Sequence, residues 1–378
     1  MSQPHRVVFI PGMFGFGRLA GYDYFRHLRQ GVETRYADAG IPVVTDVVTT
    51  PPTSSLRYRS RILAKHMAQR ADGDGPIHLV GHSTGGLDAR LVLSPSNSLQ
   101  VSPERLRWTS RVVTSISMNT PHYGTPLAGY FSTVAGTRLL YALSLLTVLS
   151  LSVGEPSLAL FARVLAGLGG IDRAVFHGDL RLISRITDMM LRFVDQSGRA
   201  EIHEYLSKVR VDQGALIQTM PEAMDLFNAS TEDNQRVHYG SVASAAPTPH
   251  PVRFAKKVRS PYAAFSAAMF ATLWGFASQR HNMYPYARPT ARQAELLSHG
   301  IEPEVTDRTS DGVVPTLSML WGNLIWCGEA DHLDVLGHFP DDARPRQHVD
   351  WLASGAPFTR ARFGELVDSI VRFQLDPR

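Results

Sequence analysis

A serine surrounded by glycines, Gly81-His82-Ser83-Thr84-Gly85, lies where an apolar run gives way to a helical pattern. Ile77, Leu79 and Val80 read as a short buried strand, while Leu87, Leu91 and Val92 fall at helical spacing. A plain turn needs at most one small residue, yet Gly81, Gly85 and Gly86 all crowd this one. The spacing G-x-S-x-G between strand and helix fits a nucleophile elbow. There the serine takes a strained backbone conformation, and the residues two before and two after it must be small. The hydroxyl is lifted clear of a sheet and placed near the positive end of a helix.

A serine hydroxyl is a weak nucleophile at neutral pH, so it needs a base, and the base needs an orienting carboxylate. Among fifteen histidines, His332 in "GEADHLDVLG" follows the last strand-like run, where a loop would hang over the serine. As bases the others are weaker: His82 flanks the serine, His122 follows an earlier strand, and His338 reads as a surface or packing residue. For the carboxylate, Asp311 in "RTSDGVVPT" precedes the final strand, and Gly312 permits a tight loop. Asp307 and Asp331 compete without such a turn, and Asp334 reads as structural. Ester hydrolysis also needs donors for the negative oxygen of the tetrahedral intermediate. The backbone N–H of Thr84 should be one, and that of Met13, in the loop "IPGMFGFG", the other. Phe14 and His82, beside these groups, are expected to contact substrate. No Gly-Lys-Ser/Thr follows the glycine-rich loop, which argues against a phosphate cradle.

The elements that must position these residues follow from the periodicity. "RVVFI" (6–10), "IPVVTDVV" (41–48), "IHLV" (77–80) and "RVVTSISM" (111–118) alternate with two amphipathic helical stretches. That alternation predicts an α/β fold, a mostly parallel sheet with helices on both faces, with its site beyond the carboxyl ends of the strands. Core sequence occupies 1–125, a large helical cap or lid insertion 126–234, and the second part of the core 235–378. Within that last part, "QRVHYGSVAS" (235–244) and "GNLIWCG" (322–328) read as strands and "FGELVDSIVRFQL" (363–375) as a closing helix. The segment from about 246 to 305 reads as an irregular insertion rich in proline and aromatics. Its Phe270, Trp274, Phe276, Tyr284 and Tyr286 either line the pocket or pack.

Composition limits the partners. The chain has 378 residues, 44% of them hydrophobic and 19% charged, with a formal charge of +4. No basic run is interleaved with aromatics, so no nucleic-acid partner is expected. Cys327, the single cysteine, excludes an internal disulfide and reads as a buried filler. The first residues run straight into a strand without a secretory pattern, which gives a cytoplasmic expectation. The longest apolar run, 139–153, has fifteen residues, short of the roughly 20 that span a bilayer, so no integral membrane segment is expected. This run and "SLALFARVLAGLGGI" (157–171) supply two apolar helices: a lid that accepts acyl chains and touches lipid surfaces transiently, or a buried cap.

Taken together, these residues resemble the α/β-hydrolase superfamily, and within it the bacterial triacylglycerol lipases. "IPGMFGFG" resembles that family's oxyanion segment, with Pro11 where the family usually has histidine; "GHSTGG" resembles its elbow. "GALIQTMPEAMDLFNAS" with "QRVHYGSVAS" resembles the stretch leading into its next core strand. "SDGVVP" and "DHLDVLG" resemble its Asp- and His-bearing loops. The implied roles fall on Ser83, Asp311, His332, Met13 and Thr84. Many relatives hold calcium near the histidine, and Asp334 matches one ligand. The segment that should supply its partner has no aspartate from 246 to 306, so no metal and no cofactor are expected. The resulting expectation is a serine carboxylester hydrolase, a lipase or esterase, acting on hydrophobic esters through an acyl-enzyme on Ser83. An acyltransferase, or a polyester, lactone or thioester hydrolase, would use the same three residues. A binding protein reusing the pocket and a metal hydrolase built on His332, Asp334 and His338 are the readings from other classes.

Overall fold

The computed structural model describes residues 3–15, 18–19, 22–71, 73–96, 98–133, 136, 140, 196–250, 261–280, 282–302, 304–341, 350 and 352–377. Numbered along the chain, the strands are β1 (His5–Ile10), β2 (Arg18–Leu19), β3 (Tyr22–Asp23), β4 (Val43–Val47), β5 (Ile77–His82), β6 (Val112–Met118), β7 (His238–Ala245) and β8 (Asn323–Glu329). Six of them form one sheet in the order β4-β1-β5-β6-β7-β8, and every neighbouring pair is parallel. β2 and β3 make a separate antiparallel ribbon.

Parallel strands covered on both faces read as continuous apolar runs, and β1 shows why. Val7 and Phe9 point into one core with Leu28, Val32 and Tyr36 of α1 (Arg26–Asp38). Val8 and Ile10 point into the opposite core with Leu63 and Met67 of α2 (Leu56–Arg70) and Leu87 of α3 (Thr84–Leu93). β5 lies at the centre, buried at all six positions. With a serine at the β5–α3 turn, this is the α/β-hydrolase fold.

Between β6 and β7 the described chain is helical: α4 (Pro126–Phe131), α5 (Gln196–Val211), α6 (Gly214–Gln218) and α7 (Pro221–Ser230). The apolar runs 139–153, Leu140 apart, and 157–171 lie outside the described residues. The segment 246–305 departs from its reading as irregular, because it holds α8 (Pro261–Ala277) and α9 (Ala291–Gly300). α8, "PYAAFSAAMFATLWGFA", carries no charged face, so it lacks the periodicity that marks an amphipathic helix. α9 begins with a capping box: Thr290 accepts from the Gln293 N–H, and the Gln293 side chain accepts from the Thr290 N–H. The closing helix, α10 (Arg360–Leu375), buries Phe363, Leu366, Val367 and Ile370 and packs against α1.

The buried sheet also fixes an acid limit. His78 on β5 is fully buried; one ring nitrogen lies 2.8 Å from the Thr114 hydroxyl and the other 3.0 Å from His5 Nδ1. Burial, reinforced by the His5 charge, pushes its pKa down to about 3. The unfolded chain therefore binds a proton at pH 4–6 that the fold refuses. His78 contributes stability that is full above about pH 6.5 and is lost as pH falls toward 3. The carboxyls of Asp88 and Asp331, raised to about 6 by burial, act with the opposite sign. Urea midpoints measured from pH 6 to 4 should fall less steeply for His78→Gln than for the parent chain. The expected difference is about 1 kcal/mol per pH unit, and equal slopes would contradict this reading.

Candidate active site

Ser83 is the residue between β5 and α3, and its backbone sits at φ 53°, ψ −127°. Its N–H donates to Met118 O at the end of β6 (2.8 Å), which ties the elbow to the sheet. A Cβ on Gly81 would lie 2.4 Å from the backbone of Gly85 and Gly86, so the strand cannot enter so sharp a turn with a side chain there. A Cβ on Gly12 would lie 2.5 Å from Ser83 Cβ and 3.2 Å from Ser83 Oγ. The loop after β1 thus packs its bare backbone against the serine.

The two partners chosen from sequence meet each other. His332 Nδ1 is 2.6 Å from Asp311 Oδ2. A carboxylate only accepts, so Nδ1 carries the hydrogen and Nε2 keeps the lone pair. The Asp311 carboxylate is enclosed by donors: Oδ1 accepts from the N–H groups of Val313 and Val314 (2.8 and 2.7 Å), and Oδ2 also accepts from Asn119 Nδ2 (2.9 Å). The His332 N–H closes the contact by donating to Asp311 O (3.2 Å). Ser83 and His332 line one partly open cavity of about 100 Å³. Met13, Phe14, Tyr24 and Val313 are among the residues that join them, with Leu127 and Phe131 of α4 and Leu273 of α8.

The competing residues have other work. Asp307 pairs with Arg280 (2.8 Å). Asp331 braces the loop that carries His332: its Oδ1 accepts from the N–H groups of Leu333 and Asp334, and its Oδ2 from the Ser354 hydroxyl. His122 is buried between the Ser117 hydroxyl and Arg90, and His338 is buried against Tyr24. Asp334 turns into its own loop, where Oδ2 accepts the Asp331 N–H (2.9 Å). Among the described residues no group of three His, Cys, Asp or Glu side chains could hold a metal ion. No described helix is long and apolar enough to cross a membrane.

One relative is similar over part of its length. A triacylglycerol lipase of Pseudomonas fragi is 27% identical over 128 residues, which cover 34% of this chain. The match spans only 38% of that relative's length. No family model matches the chain. Among solved structures, EstA from Clostridium botulinum superposes with a TM-score of 0.49 at 15% identity, covering 98% of this chain and 87% of its own. The Staphylococcus hyicus lipase gives 0.48 at 14% identity, over 99% and 97%.

One expectation needs correction. Phe14 lines the cavity, but His82 does not reach it. Its Nε2 is 2.9 Å from the His332 carbonyl oxygen, so Nε2 carries the hydrogen, and Nδ1 accepts from the Tyr24 hydroxyl (2.9 Å). Burial and the His332 ring beside it hold its pKa well below the usual value, in keeping with that neutral form. His82 therefore braces the backbone of His332 from behind. Of the pocket aromatics, Phe270 packs on Gly312 and Phe276 stacks on Tyr130; the helix reaches the cavity through Leu273 instead. Asn119 was not singled out in the sequence. It sits at φ 48° just past β6 and bridges Asp311 and the Ser244 hydroxyl. An asparagine directly after a strand, the type that tolerates left-handed backbone, is the signal it offered.

The contact between Gly12 and Ser83 can be tested by size alone. Gly12→Ala should lower ester turnover by about 100-fold, the order lost with one oxyanion donor, while circular dichroism stays that of the parent. Unchanged turnover would show that the loop does not abut the serine.

Proposed function

We propose that the chain is a serine carboxylester hydrolase for hydrophobic esters. The observation that carries the reading is a strained serine at a helix N-terminus, facing an apolar cavity that it shares with a histidine bonded to a buried carboxylate. In this reading Ser83 Oγ attacks the ester carbonyl carbon while His332 Nε2 takes its proton. Asp311 keeps the Nδ1–H and offsets the imidazolium charge. The carbonyl oxygen becomes an oxyanion held by the N–H groups of Met13 and Thr84. Two features of the chain support that assignment. Thr84 opens α3, where a helix leaves its first N–H groups without intrahelical acceptors. In the loop after β1, Phe14 and Gly15 give their N–H groups to Pro52 O and Gly12 O, and Met13 between Gly12 and Phe14 lines the cavity, which supports its N–H as the second donor.

Collapse of the intermediate breaks the C–O bond, and His332 returns its proton to the leaving alcohol. A water then attacks the acyl-enzyme by the same route and frees the acid. Phe14, Leu127, Phe131, Leu273 and Val313 give the acyl chain an apolar wall. Each buried methylene contributes about 0.8 kcal/mol, so medium-length acyl chains should outrun acetyl esters. The similarity to a triacylglycerol lipase supports the same substrate class.

Replacing the serine tests the reading. Ser83→Ala should reduce hydrolysis of a p-nitrophenyl acyl ester by at least about 10⁴-fold with the thermal midpoint little changed. Residual activity near that of the parent would remove Ser83 from the reaction.

A further inference from the structure

Beneath the cavity lies an ion pair with no exposure at all. Arg59 of α2 and Asp88 of α3 are both 0% exposed, with Arg59 Nη2 2.8 Å and Nε 2.9 Å from Asp88 Oδ2. Such a pair is a poor stabiliser, because desolvating both charges costs about as much as their attraction returns. Burial outweighs even the adjacent Arg59 charge and raises the Asp88 carboxyl to about 6. The other contacts of the guanidinium show what the pair holds. Nη1 donates to Pro51 O (2.7 Å), and Nη2 donates to Pro11 O (2.5 Å) and Gly12 O (3.4 Å).

The Gly12 carbonyl and the Met13 N–H are the two ends of one planar trans peptide, so they point in opposite directions. A cation fixed at the carbonyl end sets the plane of that peptide. It also draws electron density toward the oxygen, which strengthens the N–H as a donor. The Gly15 N–H, 3.1 Å from the same carbonyl, helps hold the plane. Asp88 rides on the helix that begins with Thr84. One guanidinium therefore joins the β1 loop to the helix of the nucleophile.

We propose that Arg59, clamped by Asp88, is a positioning residue that keeps the Met13 N–H in register with the Thr84 N–H. This rests on the reading that Ser83 attacks an ester carbonyl. Lysine cannot replace the planar fork, since one ammonium cannot meet Asp88 and the loop carbonyls in that geometry.

Three variants test it: Arg59→Lys, Asp88→Asn, and the charge-neutral double change Arg59→Met with Asp88→Leu. Each is assayed on a p-nitrophenyl ester and on the matching thionoester, with Ser83→Ala alongside. Sulfur is a weak acceptor, so the thionoester draws little on oxyanion donors, and the ester-to-thionoester kcat ratio reports their placement independently of the folded fraction. The ratio should fall by about tenfold or more in each folded variant, with KM for the ester changed less than about threefold. An unchanged ratio in a folded variant overturns the proposal, whatever the total activity. Loss of folding in all three overturns it too, in favour of a purely structural pair. Parent-like ester turnover by Ser83→Ala would instead remove the reading on which the proposal rests.

Discussion

Holding a serine at φ 53° costs about 1–3 kcal/mol, because a side chain in left-handed backbone is crowded. Ser83 is kept there by its surroundings. Its N–H is committed to the end of β6, the bare backbone of Gly81 lets β5 turn back against α3, and β5 is buried along its whole length. The same geometry puts Ser83 in the wall of an apolar cavity, at the start of α3. Relaxing that backbone would disperse the site without disturbing the sheet.

Around this fixed point the polar groups are arranged so that each partner is itself held. Asp311 is enclosed by two N–H groups of its own loop and by Asn119. His332 is held by Asp311 at one ring nitrogen and by His82 at its carbonyl, and Asp331 braces the turn beneath it. His82 is in turn anchored by Tyr24, whose ring is a wall of the cavity. The supports come from β5, from the residues just past β3 and β6, and from the loops flanking β8, so the site depends on how these segments are brought together. Such preorganisation suits chemistry in which charge develops on one oxygen and must be met without rearrangement.

Much of this was legible in the sequence because the informative signals are local. Strands buried on both faces appear as short apolar runs, as in β1 and β5, and each of the six main-sheet strands coincides with a segment that reads as a strand. Gly81, Gly85 and Gly312 mark turns whose geometry depends on few residues, which brought Ser83 and Asp311 into view; His332 followed from its place after the last strand. The misses depend on distant partners. The direction of the His82 ring is set by Tyr24 and the His332 carbonyl, 58 and 250 positions away. The role of Arg59 is set by the loops after β1 and after β4 and by α3. α8 carries no periodic signal because it is apolar all round, and the capping box at Thr290 is a short local motif set among prolines and aromatics.

The proposed hydrolysis requires that the hydroxyl of residue 83 be made nucleophilic by the imidazole of residue 332. Labelling with a fluorophosphonate probe, followed by mass mapping of the adduct, measures this directly. The account predicts a single adduct on Ser83, formed at least about 100-fold more slowly in folded His332→Ala. An adduct on another residue, or equal labelling rates with and without the imidazole, would contradict it.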